Sequence, residues 1–138
     1  MEVLFVAGFS PIVVDPDASQ AFYGGALGLP LDHEEGEYVF SETLPGVKHL
    51  GLWPLKHAAQ SCFGTDEWPP EVPVPQATIE FEVRDVESAA NELQGLGHRL
   101  IHSAKTEPWG QTIARLLSPE GLLVGLSYIA ELHESGGP

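Results

Sequence analysis

"TIEFEVRDVESAANELQGLG", residues 78–97, decides the fold. Thr78, Glu80 and Glu82 alternate with Ile79, Phe81 and Val83, the pattern of a strand with one apolar face. Asp85 follows where a helix N-cap belongs. Val86, Ala89, Ala90 and Leu93 then recur at helical spacing, and Gly97 stands where a left-handed C-terminal cap is expected. The same order occurs earlier, in "GFSPIVVDPDASQAFYGGALGL", residues 8–29. There an apolar strand leads to Asp15, with Pro16 suited to the first helical position. Ala18, Phe22 and Ala26 share one face, and Gly28 follows. The two aspartates lie 70 residues apart in a chain of 138. One unit is used twice.

Strand patterns follow each helix. "EYVFSE" and "VKHLGLW" serve the first copy; "HRLIHSA", "QTIARLL" and "LLVGLSYI" serve the second, with turns at "LPG" and "SPEG". Each copy reads strand–helix–strand–strand–strand. Between them, "CFGTDEWPPEVPVPQ" carries four of the 12 prolines and reads as an extended linker. The expected division is a first βαβββ module over 1–62, a linker over 63–76, a second module over 77–130 and a flexible tail over 131–138.

The charge narrows the partners. Twenty acidic residues against six basic ones give a net charge of −14. That argues against nucleic acid, whose phosphates need Lys and Arg, and favours cationic ligands. The single cysteine, Cys62, leaves no internal disulfide or thiolate-cluster zinc site and reads as a small buried hydrophobe. The apolar start "MEVLFVAGFSPIVV" lacks the basic residues of a signal peptide, and no run approaches the ~20 residues of a membrane span. The expectation is a cytoplasmic protein without membrane contact. "HEEGE" lacks the second histidine of a zinc-protease helix, and "GGALG" ends a helix where a phosphate loop would start one.

The tandem unit resembles the vicinal oxygen chelate superfamily, which includes glyoxalase I, the extradiol dioxygenases and the bleomycin resistance proteins. "DPDASQAFYGGALGL", "EVRDVESAANELQGLGHRL" and "EPWGQTIARLLSPEGLLVGL" carry the likeness in order and spacing. The resemblance implies an α+β fold of tandem βαβββ modules, whose curved mixed sheets form a cup-shaped cavity. It also implies that the family's metal-ligand positions fall on Gly8, Gly51, Thr78 and Gly125. Three glycines and a neutral hydroxyl make a poor ligand set, because divalent ions need imidazole or carboxylate donors. Glycine inside a strand also marks a close approach, and Gly125 is expected to widen the cavity.

Steps of two along each strand continue the inward face. They add Ser10, His49, Trp53, Glu80, Glu82 and Ser127 to Thr78, with Trp109 of "EPWGQ" as a stacking or lid residue. Glu80 and Glu82 have two readings. They sit at the solvent-facing mouth or pair with Arg84 or Arg115, or they bind a cation or act as a general base, with His49 as partner. By the same parity Phe9 and Phe81 face the helices and are expected in the core.

The function expected from this set is metal-independent small-molecule binding of the bleomycin-resistance type, with no cofactor and a cationic or aromatic ligand. The alternative is an enzyme, glyoxalase-, lyase- or dioxygenase-like. It would use a displaced divalent metal site or metal-free acid–base chemistry at His49, Glu80 and Glu82. A third reading is an assembly partner with a filled cavity. The resemblance further implies a homodimer, swapped or side by side, covering open sheet edges.

Overall fold

The computed structural model describes residues 1–33 and 38–134. Most of "HEEGE" and the last four residues lie outside them. Eight strands form one mixed sheet: β1 (Phe5–Val13), β2 (Asp32–His33), β3 (Val39–Ser41), β4 (Leu50–Pro54), β5 (Ala77–Glu82), β6 (Leu100–Thr106), β7 (Thr112–Leu117) and β8 (Leu123–Tyr128). Their order is β2-β3-β4-β1-β5-β8-β7-β6. The sheet is curved and unclosed.

Pairing follows the internal repeat. β1 and β5 meet antiparallel at the centre, and each runs parallel to the last strand of its own copy, β4 or β8. The remaining pairs are antiparallel. The fold is therefore the tandem βαβββ arrangement of an α+β protein, its two halves fused into a single sheet.

Helix α1 (Pro16–Gln20) starts where Asp15 accepts a hydrogen bond from the Ala18 amide at 3.1 Å. It continues as a π-helical turn, Ala21–Ala26, through the Gly24-Gly25 pair. Helix α3 (Val86–Gly95) is capped by Asp85, which accepts from the Ser88 amide and hydroxyl, both at 3.0 Å. It ends as a Schellman motif: the His98 amide bonds the Leu93 carbonyl, the Gly97 amide bonds Gln94, and Gly97 has φ +96°.

These two helices cover the outer face. Tyr23 and Leu31 pack on Val13, Val39 and Leu52. Val86, Ala89 and Ala90 pack on Val83, Ala114 and Leu126. Small residues let α3 lie close to the strands, and both modules draw their core from this layer.

The sequence reading passes over the short strand β2 and the helices α2 (Leu55–Phe63) and α4 (Ala130–Glu134). Helix α2 crosses the expected boundary at 62 and lies on the inner face. Ala58, Ala59 and Cys62 bury against Leu123, with Ile12, Trp53, Ile101 and Leu117 around them. The segment after it is compact as well. Trp68 meets Phe63 edge-on at 4.9 Å and donates its indole N–H to the Val72 and Pro73 carbonyls, at 3.0 and 3.2 Å. Thus the proline-rich stretch is a folded plug, because an aromatic anchor and a helix hold it on the sheet.

Helix α4 follows β8 and takes up the first part of the segment expected as a tail. Phe9 is corrected too: its outer-face direction is as expected, but it lies 36% exposed between the two helices instead of in the core.

Candidate functional site

The register brings Gly8, Gly125 and Glu80 side by side on the inner face. Gly51 lies on the neighbouring strand, opposite Phe40. The glycines do not leave an open cavity here. A Cβ built on Gly51 would strike the Tyr38 hydroxyl and come within 2.7 Å of its ring carbon Cζ. One built on Gly125 would lie 2.7 Å from Ile113 Cδ1 and 3.2 Å from Glu80 Cγ. Both glycines admit neighbouring side chains, which corrects the expectation of a widened floor. Grooves of about 520 and 310 Å³ lie elsewhere, beside α1 and at the start of α3, and neither reaches Glu80.

The same geometry tests the family's metal. A ligating side chain at 51 would have to expel the Tyr38 ring, and one at 125 would have to push aside the Ile113 tip and Glu80. Thr78 offers only a hydroxyl. Among the described residues no three His, Cys, Asp or Glu side chains converge as a metal-binding group. The donor set does not suit a divalent ion.

A hydrogen-bonded chain runs from this floor to the rim. Gln111, 3% exposed, donates its Nε2 to Glu80 Oε1 at 2.8 Å and to Ser127 Oγ at 2.9 Å. Its Oε1 accepts from the indole Nε1 of Trp109 at 2.8 Å. Trp109 itself is 58% exposed. An exposed indole is thereby held in one orientation by a buried amide that also orients the Glu80 carboxylate.

The loop carrying Trp109 has its own anchor. Glu107, at its start, accepts from the fully buried Arg115 at 3.2 Å and lies 3.7 Å from Lys105. The Glu107 amide bonds the Gln111 carbonyl, and Gly110 turns with φ +94°. Arg115 also contacts His102 at 3.2 Å and lies 5.3 Å from the Trp53 ring centre. Burial lowers the His102 pKa, with the Arg115 charge adding to the effect and a bond to the Ser103 carbonyl opposing it. Burial pushes the Cys62 thiol up to about 11, which makes it an inert core residue.

The first module supplies a second cluster. His49 Nδ1 bonds Glu42 at 2.9 Å, and its Nε2 bonds the Tyr38 hydroxyl. Tyr38, Phe40 and His49 stack with ring centres 5.5 to 5.8 Å apart. His49 Cβ and Glu80 Oε1 lie 3.8 and 3.7 Å from where a Gly8 side chain would start, so both clusters border one bare backbone position.

The expected residues thus divide. Glu80, Ser127 and Trp109 are joined through Gln111, and His49 adjoins them. Ser10 and Thr78 pair across the central seam. The Thr78 hydroxyl is buried without a hydrogen-bond partner. Trp53 packs with α2 beneath Arg115. Glu82 is fully buried at the opposite end, accepting from the Ile129 amide at 2.6 Å and from His133 at 2.8 Å. Among the described residues neither inward glutamate pairs with an arginine: Arg115 takes Glu107, and Arg84 lies near Glu2.

Sequence reasoning missed Gln111, Tyr38 and Glu42. Gln111 lies just outside β7, where strand parity does not reach, although its place after Pro-Trp-Gly was a usable signal. Tyr38 carried a parity signal, since it lies two residues before Phe40 opposite Gly51. Glu42 gave none, because its link to His49 depends on the turn between β3 and β4.

The chain matches the family model described as a glyoxalase-like domain over residues 8–130. No curated protein sequence matches it. Among solved structures, it is 18% identical to a glyoxalase/bleomycin resistance protein/dioxygenase superfamily member from Vibrio splendidus 12B01, with a TM-score of 0.60 over 88% of this chain and 96% of that one. Methylmalonyl-CoA epimerase from Mycobacterium tuberculosis is also 18% identical, with a TM-score of 0.60 over 96% of this chain and 93% of that one. A Legionella pneumophila structure described as an NAD-dependent benzaldehyde dehydrogenase shares the fold at 14% identity, TM-score 0.57, over 87% and 96% of the two chains. Such distant likenesses carry the fold and leave activity to the site. With its repeat, its eight-stranded sheet and the matched family model, the chain belongs to the glyoxalase-like family of the vicinal oxygen chelate superfamily.

Proposed function

We propose that this protein is a metal-independent small-molecule binder, stacking a planar cationic ligand on the exposed face of Trp109 with Glu80 as the nearby countercharge. The observation that carries this reading is the Trp109–Gln111–Glu80 chain. A solvent-exposed indole supplies a stacking face, a carboxylate supplies the countercharge, and the buried amide holds both before any ligand arrives. The net charge of −14 draws cations toward the site.

Intrinsic tryptophan fluorescence tests it, with bleomycin and a series of planar cations as probes. Saturable quenching is expected for at least one of them. Trp109→Ala should abolish the signal, and Glu80→Gln should weaken binding about tenfold, the loss of one charge-assisted contact. Absence of any saturable response across the series overturns the reading.

A second reading, catalysis, has the Glu42–His49–Tyr38 chain in its favour. A carboxylate that orients an imidazole against a hydroxyl is an arrangement able to move a proton at the Tyr38 oxygen. The fold shared with an epimerase makes methylmalonyl-CoA a sensible probe. Catalysis predicts solvent-deuterium exchange into it by chelator-treated protein, lost in His49→Asn. No exchange with the unaltered chain removes this reading.

We further propose that the protein works as a homodimer joined through its outer face. Val6 and Phe9 are exposed on the outer side of the central seam, paired with Phe81 and Ile79. This support differs from the edge pairing expected from sequence.

A further inference from the structure

We propose that the end of the inner face around Glu82 is a second binding site, for a planar N–H cation of the imidazolium or amidinium class. His133 of α4 is its intramolecular occupant. This goes beyond the ligand-binding reading at Trp109 and does not depend on it, and its test uses no tryptophan signal.

The contacts of His133 are those of a ligand. Its ring stacks on Tyr128 at 4.4 Å, only 18° from parallel, and tilts against Phe5 at 6.1 Å. Its Nε2 meets Glu82 Oε2 at 2.8 Å. Phe5 already holds a cation over its ring, the Lys48 ammonium 4.8 Å from its centre. A planar cation thus finds an aromatic face and a buried countercharge in one place.

His133 satisfies only half of that countercharge. Glu82 is fully buried, and its Oε1 has no hydrogen-bond partner. A buried carboxylate oxygen left unpaired is costly, and its presence indicates capacity for another donor. Imidazole offers one N–H toward the carboxylate, whereas an amidinium fork offers two parallel N–H groups and can engage both oxygens. A forked cation is therefore the better guest. It would displace His133, and α4 would lose its bond to the sheet. Ligand binding and release of α4 are then one equilibrium.

Cavity complementation tests this in the full chain. His133→Ala removes the ring and is expected to lower Tm. Imidazole should then raise the Tm of the variant saturably, by about 5 °C at ten times its Kd, and leave the unaltered protein nearly unchanged. 2-Aminoimidazole, with a second N–H beside the first, should act at lower concentration than imidazole. Thiazole, a ring of the same size without N–H, should have no effect. Glu82→Gln in the His133→Ala background should abolish the response. Should His133→Ala not fold, His133→Asn, which keeps a polar side chain without the ring, is titrated instead. Equal responses to imidazole and thiazole, or no response from a folded variant, overturn the proposal.

Discussion

At residue scale, Gly51 and Gly125 are fixed by what stands over them. Gly51→Ala would push a methyl group into the Tyr38 ring, 2.7 Å from Cζ and 2.9 Å from Cε1. A ring cannot bend aside as an aliphatic tip can, so the expected cost is about 2 kcal/mol of overpacking. The displaced hydroxyl should also lose His49. Gly125→Ala meets mainly the Ile113 Cδ1 methyl. Ile113→Val deletes that methyl, so the double variant should be more stable than the two single losses summed, by about 0.5–1 kcal/mol. Urea midpoints of the unaltered protein and the four variants measure both effects, and strict additivity at 125 would refute the contact. The sequence reading placed these glycines on the inner face, because strand parity is legible. It misjudged their purpose, because no period in the sequence says which neighbour fills a missing side chain.

At the scale of elements, β7 and the loop before it depend on a buried ion pair. Glu107→Gln strands the Arg115 guanidinium without its countercharge, at a cost of about 3–5 kcal/mol. Arg115→Met should cost less, since Glu107 keeps Lys105 at 3.7 Å and the methionine can pack on Trp53. Chemical denaturation of the two variants checks the order, and a reversal would mean that the pair does not act as drawn. His102, on β6, adds a pH dependence. Burial lowers its pKa in the folded protein, so on acidification the unfolded chain takes up a proton that the native imidazole resists. Stability therefore falls as pH drops below about 6.5, the ordinary imidazole value, and His102→Asn should flatten that fall between pH 7 and 5. Legibility was uneven at this scale. Asp15, Asp85, Gly28 and Gly97 announce α1 and α3 through local capping chemistry. Helix α2 has Leu55, Ala58, Ala59 and Cys62 at helical spacing, but its face is built of small residues and a dense run of prolines follows. Its burial is a tertiary fact, set by the Leu123 side of the sheet.

At the scale of the whole molecule, the repeat sets the topology and leaves a seam. Two aspartate-capped helices, 70 residues apart, predicted two like modules, and the sheet order carries out that symmetry with β1 and β5 at its centre. Helices α2 and α4 lie outside the repeat, so the repeat does not announce them. On the outer face α1 and α3 each cover their own half, and the central strands between them keep an apolar strip. Val6 is 42% and Phe9 36% exposed, with Phe81 and Ile79 directly across the seam. Scattered exposed hydrophobes are ordinary, but Val6 and Phe9, with the half-buried Ile79 and Phe81 beside them, form the row that the proposed homodimer would bury. A strip on a pseudo-twofold seam meets its own copy with the same residues from each side, as an isologous interface requires. Phe9→Glu puts two like charges into that interface, beside a chain already at −14. It should convert a dimer to a monomer in light scattering while leaving the far-UV dichroism unchanged, because the side chain supports neither core cluster. The charge should act through association alone, so raising protein concentration should partly restore the dimer. A monomer in the unaltered protein at every concentration, or a Phe9→Glu dimer as tight as the original, would show that the strip faces water.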